Sequence, residues 1–178
     1  MRAFISIELP EEIKDELVRV QSAISKINGW KGKIVERENL HLTLKFLGEI
    51  DDKKVADVEE RLKQLEFDKV KVNLGELGVF SENFIRIVWV SLEDGELKNL
   101  QRAVDSLLDG LFDKEERFMG HITIVRPKFV EDKECFLRDL KKIIVGKKEF
   151  IVDRVFLRES LLSKRGSEYS DVLVIKGE

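Results

Sequence analysis

The chain has two histidines and two threonines, and all four stand in one pattern written twice, His41-Leu42-Thr43-Leu44 and His121-Ile122-Thr123-Ile124. Two threonines placed at random would both land two residues after a histidine only about once in ten thousand trials. Free imidazole titrates near pH ~6.5, so one ring can be a neutral base while its partner is a protonated acid. Hydroxyls beside the rings can donate hydrogen bonds to oxygens on which negative charge accumulates. Such a set suits in-line displacement at phosphorus, in which a base activates the attacking group and an acid protonates the leaving oxygen.

Two cations lie close in sequence. Lys45 keeps the strand parity of His41 and Thr43, so a continuing strand would aim its ammonium at the same phosphate. Arg126 has the opposite parity to His121, but Pro127 can end regular pairing there and let the guanidinium turn inward. Acyl transfer fits less well, because no Ser or Cys sits in a nucleophile-elbow motif and Cys135 falls in an expected helix without an activating neighbour. A Walker loop, a dinucleotide-binding glycine fingerprint and a Cys/His zinc cluster are missing, and two histidines alone make a poor zinc site.

Leu-Thr-Leu and Ile-Thr-Ile alternate as strands do, which places each histidine beside its threonine and turns Leu42, Leu44, Ile122 and Ile124 toward a core. A shift of 80 residues aligns more than these motifs: Phe4-Ile5-Ser6-Ile7 falls on Phe84-Ile85-Arg86-Ile87, Leu17 on Leu97, Glu36-Arg37 on Glu116-Arg117 and Asp52-Lys53 on Asp132-Lys133, without a gap. Each unit opens with an apolar strand, Phe4 to Leu9 or Phe84 to Val90. An amphipathic helix follows, with stripes Ile13, Leu17, Val20, Ile24, Ile27 and Leu97, Leu100, Val104, Leu107, Leu111; the first starts at Pro10 with Glu11 and Glu12.

After each His strand, Asp51-Asp52 and Glu131-Asp132 suit the N-terminus of a second helix, carrying Val55, Val58, Leu62 and Leu65 or Phe136, Leu140 and Ile144. Strands return at Val70 to Leu74 and Phe150 to Phe156, and a last hairpin is expected to turn at Lys164-Arg165-Gly166 before Asp171 to Ile175. No Pro- or Ser-rich linker divides the halves. The expectation is one bilobal, internally duplicated α+β domain over 1–178, with units of about 1–80 and 81–178 that can exchange strands. Two copies of one unit would pack about an approximate two-fold axis around a shared cleft, with the two histidines facing each other.

At 178 residues and 43% hydrophobic content the chain is long enough for an enzyme domain. Charged residues reach 38% yet cancel to a net −3, which argues against a general polyanion binder. The single Cys135 cannot form an internal disulfide, and neither a signal peptide nor a membrane-length apolar run is present, so a cytoplasmic, membrane-free location is the expectation. Of the aromatics, Trp30, Trp89 and Tyr169 can stack on a base. Trp89 lies in an apolar run that fits a core, while Trp30, just past a helix end, is better placed to line the groove. Lys164 and Arg165 read most simply as a solvated turn.

The paired motifs about eighty residues apart, the opening Arg2-Ala3-Phe4-Ile5, the segment Glu38 to Gly48 and the run His121 to Arg126 resemble the two-histidine phosphoesterases, and within them the RNA 2′,3′-cyclic phosphodiesterases, also called 2′-5′ RNA ligases. The resemblance covers essentially the whole chain. It implies a bilobal α+β fold with two antiparallel sheets around a central groove and helices packed on the outer faces, no metal or other cofactor, and hydrolysis of an RNA 2′,3′-cyclic phosphate end to a 2′-phosphate. By that similarity His41 is the donor to the leaving 3′ oxygen, His121 the acceptor that activates water, and Thr43 and Thr123 bind the phosphate. The ligase name implies joining of a cyclic-phosphate end to a 5′-hydroxyl. Substrates would include tRNA fragments, and the protein would be a monomer. Family members often carry proline before the second motif; here Gly120 would loosen that approach.

A second function class remains open from the residues: a nucleotide- or RNA-end-binding module that keeps the groove without catalysis. Both intact motifs favour the enzyme.

Overall fold

The structure is a computed structural model and describes residues 1–93 and 95–178. Among the described residues, nine strands and four helices run in the order β1 (Arg2–Glu8), α1 (Glu11–Ser25), β2 (Trp30–Ile34), β3 (His41–Glu49), α2 (Asp52–Leu62), β4 (Val70–Val79), β5 (Val88–Glu93), α3 (Gly95–Leu107), β6 (His121–Val130), α4 (Lys133–Lys141), β7 (Glu149–Val152), β8 (Arg154–Ser163) and β9 (Gly166–Lys176). A 3-10 turn at Arg37–Asn39 precedes β3. One sheet has the order β3-β1-β8-β9 and the other β2-β6-β5-β4-β7. The strands of both sheets pair antiparallel. The fold is α+β and internally duplicated, as its sequence predicts.

The helices form where an apolar stripe meets a start signal. Ile13, Leu17, Val20 and Ile24 of α1 are buried, as are Leu97, Leu100 and Val104 of α3. The second helix of each copy is capped alike: the Asp51 side chain accepts from Lys54 N at 2.8 Å, and that of Asp132 from Cys135 N at 3.0 Å. Such caps satisfy backbone donors that would otherwise lack partners.

Strands cross between the sheets. β4 follows α2 in sequence but pairs with β5 and β7, while β8 follows α4 and returns to pair with β1. The expected strand Phe150 to Phe156 is therefore two strands that part at Asp153, β7 for one sheet and β8 for the other. β2 has no counterpart among the expected strands, because Trp-Lys-Gly-Lys-Ile lacks an alternating apolar face and is largely exposed. It adds an edge to β6.

The gap-free repeat also needs correcting. Ser6 faces Thr43 in one sheet, whereas Trp89 faces Thr123 in the other, so the first strands correspond at an offset three residues longer than the His strands. Phe84 to Ile87 lies before β5 rather than within it. The inserted residues are absorbed between β4 and β5, where no ladder must be kept in register.

At the centre, β3 and β6 approach until Cα atoms of the two strands lie within 8 Å. Leu42, Leu44, Ile122 and Ile124 are buried in the core beneath them. Each copy's first helix packs against the other copy's His strand, α1 on β6 and α3 on β3.

Candidate active site

Both motif strands carry the same irregularity, and it decides what faces the groove. In β3 the pairing with β1 steps from Thr43 opposite Ser6 to Lys45 opposite Ile5, leaving Leu44 as an extra residue. In β6 the pairing with β5 steps from Thr123 opposite Trp89 to Val125 opposite Val88, leaving Ile124 extra. A bulge of this kind inverts side-chain parity beyond it. The burial sequence is accordingly identical along both strands: the histidines and threonines are partly exposed, the next two residues are buried, and Phe46 and Arg126 emerge.

Lys45 is thus not a groove cation. Its ammonium is turned inward, 2.5 Å from Asp105 Oδ1 on α3 and 2.7 Å from the Asp113 carbonyl oxygen, with both charged side chains 7% exposed. Burial pushes the Asp105 carboxyl up, but hydrogen bonds from Lys45, the Glu115 amide and Gln101 prevail and hold it below the ordinary carboxylate range. Arg126 does reach the groove, delivered by the bulge at Ile124 and not by an end of pairing at Pro127, since Gly32 still pairs with Pro127.

One cavity of about 550 Å³ is lined by His41, Thr43, His121, Thr123 and Arg126 together, with Phe46, Tyr169 and Asn39 among its other walls. A larger hollow of about 780 Å³ lies elsewhere, between β4 and the end of α4, and carries Lys and Glu side chains without a histidine or hydroxyl. Of the two, it is the smaller that gathers the chemistry-bearing groups. Among the described residues no three His, Cys, Asp or Glu side chains gather as a metal site, and no helix is long and apolar enough to cross a membrane.

The two imidazoles are held in the same way. His41 Nδ1 is 2.7 Å from the Asn39 carbonyl oxygen and His121 Nδ1 is 2.8 Å from that of Met119. A carbonyl can only accept, so Nδ1 carries the proton in both rings and Nε2 is the nitrogen left for proton exchange. His41 Nε2 lies 3.0 Å from Thr43 Oγ1, whose hydroxyl donates to it when the ring is neutral.

Aromatic rings fix the tilt. Phe4 and Tyr169 pack on His41 with centroids 5.1 and 5.2 Å away, and Phe80 meets His121 edge-on at 4.9 Å. Tyr169 arrives because the β8–β9 hairpin curls back, the Ser167 carbonyl accepting from Asn39 Nδ2 at 2.7 Å. Burial raises the Tyr169 phenol above its usual value, so it stays protonated.

Burial drives His41 down to about 4, opposed by the hydrogen bond to Asn39 and assisted by the nearby positive charges of Arg158 and Arg126. Arg158 is itself buried; it donates to Glu8 and, at 2.8 Å, to Asp171. Glu8, the cross-strand partner of His41, also takes the Lys14 ammonium at 2.6 Å. His41 is therefore neutral at pH 7 in the free protein.

Not every sequence expectation places correctly. Trp30 does not line the groove; its Nε1 donates to the Ile24 carbonyl oxygen at 3.1 Å and its ring sits beside Phe136. Trp89 packs over Gly78 and against Phe80. Gly120 does not loosen the second motif: a Cβ there would come within 2.7 Å of Leu97, so close packing favours glycine. Phe46, Asn39 and Phe80 escaped sequence inspection, the first because its exposure depends on a bulge that no local signal marks.

Similarity to known proteins fits this geometry. An RNA 2′,3′-cyclic phosphodiesterase of Methanocaldococcus jannaschii is 34% identical over 174 residues, covering 95% of this chain and 96% of that one. The chain belongs to the LigT-like phosphoesterase family. The family's sequence model matches residues 7–89, which contain the first motif. The RNA 2′,3′-cyclic phosphodiesterase of Archaeoglobus fulgidus is 32% identical over 180 residues, covering 99% of this chain and all of that one. Among solved structures, that of TT0787 from Thermus thermophilus superposes with a TM-score of 0.81 at 25% identity, covering 99% of this chain and 97% of that one.

Proposed function

We propose that this LigT-like phosphoesterase hydrolyses RNA 2′,3′-cyclic phosphate ends to 2′-phosphates by paired histidine acid and base catalysis, without a metal ion. The observation that carries the proposal is the matched pair of imidazoles, each with Nδ1 tied to a backbone carbonyl and each bordering one cavity. The names of the 34% and 32% identical relatives support the choice of substrate.

In this mechanism the cyclic phosphate sits between the two motifs, its non-bridging oxygens receiving hydrogen bonds from Thr43, Thr123 and Arg126. His121 Nε2 takes a proton from water as the water oxygen bonds to phosphorus. The P–O3′ bond breaks, and His41 Nε2–H gives its proton to O3′, leaving the phosphate on O2′. His41 must first be charged, and the bound anion supplies the reason: a negative phosphate against a desolvated ring favours imidazolium and opposes the burial that keeps the free ring neutral. An RNA 5′-hydroxyl in place of water would give a 2′-5′ linkage with the same groups. RNA fragments ending in a cyclic phosphate, tRNA fragments included, are the proposed substrates.

The test is incubation with an oligonucleotide bearing a 2′,3′-cyclic phosphate end, chelator present, followed by identification of the terminal group. A 2′-phosphate is expected, with losses of about 10²-fold or more in both His41→Ala and His121→Ala. A 3′-phosphate, a requirement for a divalent ion, or saturable binding without product would overturn it.

A further inference from the structure

Beyond Arg126, β6 carries a second irregularity. Gly32 of β2 pairs with Pro127 and Lys31 pairs with Phe129, which leaves Lys128 as an extra residue. Pro127 is buried and Val130 packs against the core, so the bulge between them turns both Lys128 and Phe129 to the face that Arg126 occupies. Lys33, opposite Arg126, and Lys31, opposite Phe129, stand on that same face of the sheet.

These residues form a strip that leaves the catalytic cavity. Arg126 and Lys33 line the cavity wall, whereas Lys31, Lys128 and Phe129 lie outside it. At ~3.3 Å per residue, Phe129 stands about 10 Å along the strand from Arg126. Its ring is 57% exposed. Arg86 braces the bulge by donating to the Lys128 carbonyl oxygen, and its guanidinium lies 4.4 Å over the Phe84 ring.

The charges of the strip are mostly uncompensated. Glu36 holds Lys33 at 2.8 Å, but Lys31, Arg86, Arg126 and Lys128 make no ion pair among the described residues. Glu131, at the far end, lies against Gly29. In a chain of net charge −3 this is a local positive field. Lysines on β2 alone would serve to protect a sheet edge from strand addition. An exposed phenyl ring on the adjoining strand does not serve that end. Beside unpaired cations it completes the combination that holds single-stranded nucleic acid, charges for the backbone and a ring face for a base.

We infer that the β2–β6 strip is a track for the single-stranded RNA that leads to the cyclic end, with Phe129 stacking on an unpaired base and Lys31 and Lys128 holding the adjoining phosphates. The inference rests on the phosphodiesterase reading of the groove and adds that the enzyme is built for the end of a polynucleotide rather than for a mononucleotide. Stacking and backbone charge are tolerant of base identity, which fits RNA ends of many sequences.

The experiment compares kcat/KM for a single-stranded RNA oligonucleotide ending in a 2′,3′-cyclic phosphate with that for adenosine 2′,3′-cyclic phosphate, in the wild type, Phe129→Ala, Phe129→Trp and the double variant Lys31→Ala, Lys128→Ala. The ratio of oligonucleotide to mononucleotide turnover should fall about 5- to 150-fold in Phe129→Ala, the range of one stacked base, and return in Phe129→Trp. The double lysine variant should also lower the ratio, and should make the log–log salt dependence of the oligonucleotide reaction shallower by about 1.4, at ~0.7 for each phosphate released. Mononucleotide turnover should stay at the wild-type value throughout. An unchanged ratio overturns the proposal, as does an equal loss on both substrates. Anisotropy titrations with an oligonucleotide ending in a 2′-phosphate, set against calorimetric binding of adenosine 2′-phosphate, keep the test independent of turnover. If neither cyclic phosphate is hydrolysed but Phe129→Ala weakens binding of the oligonucleotide alone, the track stands and the catalytic reading falls; undiminished oligonucleotide binding sinks the track. Self-association that Phe129→Ala abolishes, without a preference for the oligonucleotide, would assign the strip to a second copy of the chain and overturn the proposal.

Discussion

Gln21 Nε2 donates to the carbonyl oxygen of Ile124 at 2.8 Å, joining the first helix of one repeat to the bulge in the other repeat's histidine strand. The same amide nitrogen donates to the Val35 carbonyl oxygen, also at 2.8 Å. The bulge that delivers Arg126 to the groove is therefore held from behind by a buried side chain that does not line the cavity.

Replacing Gln21 by Leu should leave both buried carbonyls without this donor and lower stability by about 1–3 kcal/mol. KM should also rise, since Arg126 would lose its support. Urea unfolding read alongside steady-state kinetics checks both, and a variant with wild-type KM would show that the bulge holds itself.

The counterpart on the other strand is ionic. Asp105→Ala should cost about 3–5 kcal/mol, because the Lys45 ammonium would remain buried without its carboxylate. Lys45→Met combined with Asp105→Leu should recover much of that loss. Thermal or chemical denaturation of the three variants decides it; equal instability of the single and double variants would point to packing rather than charge.

His41 makes stability depend on pH. The unfolded ring binds a proton below its ordinary value of 6.5 and the folded one only near 4, so stability is full above 6.5 and is lost as pH falls toward 4. A shift of this size corresponds to about 3 kcal/mol. His41→Gln should flatten the unfolding free energy across that window, and a slope equal to the wild type would refute the assignment. Ring NMR signals of His41 should show an inflection near 4 that moves upward when inorganic phosphate fills the groove.

Thr43→Val removes a hydroxyl while keeping the shape of the side chain. With its bond to His41 Nε2 and its proposed bond to the phosphate both gone, kcat/KM should drop about 10- to 1000-fold with little change in melting temperature. Single-turnover kinetics on a cyclic-phosphate oligonucleotide measures this, and loss below about threefold would exclude the hydroxyl from the reaction.

Much of the architecture was legible because it was written twice. The helix starts at Asp51 and Asp132, most of each apolar stripe and the alternation around both histidines are local signals that form what their spacing predicts, but the stripes overrun: Ile27, Leu65, Leu111 and Ile144 lie past their helix ends, and Ile144 is exposed. What escaped depends on contacts distant in sequence. Strand parity puts Lys45 in the groove and brings Arg126 in only through a break at Pro127; one extra residue in each strand instead buries Lys45 and turns Arg126 inward while Pro127 stays paired. β2 carries no apolar alternation because it serves as an edge, and Trp30 found a carbonyl partner in α1 rather than a ligand. Asn39 reads as an ordinary polar residue until the hairpin end that it grips, 128 positions away, comes into view.

The crossing of β4 and β8 gives the molecule a mechanical property. Each sheet is completed by a segment from the other half of the chain, so the walls of the cleft are laced to one another and cannot swing apart like a clam shell. The ribbon that bears Tyr169 is tied into the same enclosure, by the Ser167 carbonyl on Asn39 and by the Tyr169 ring on Phe4 and His41.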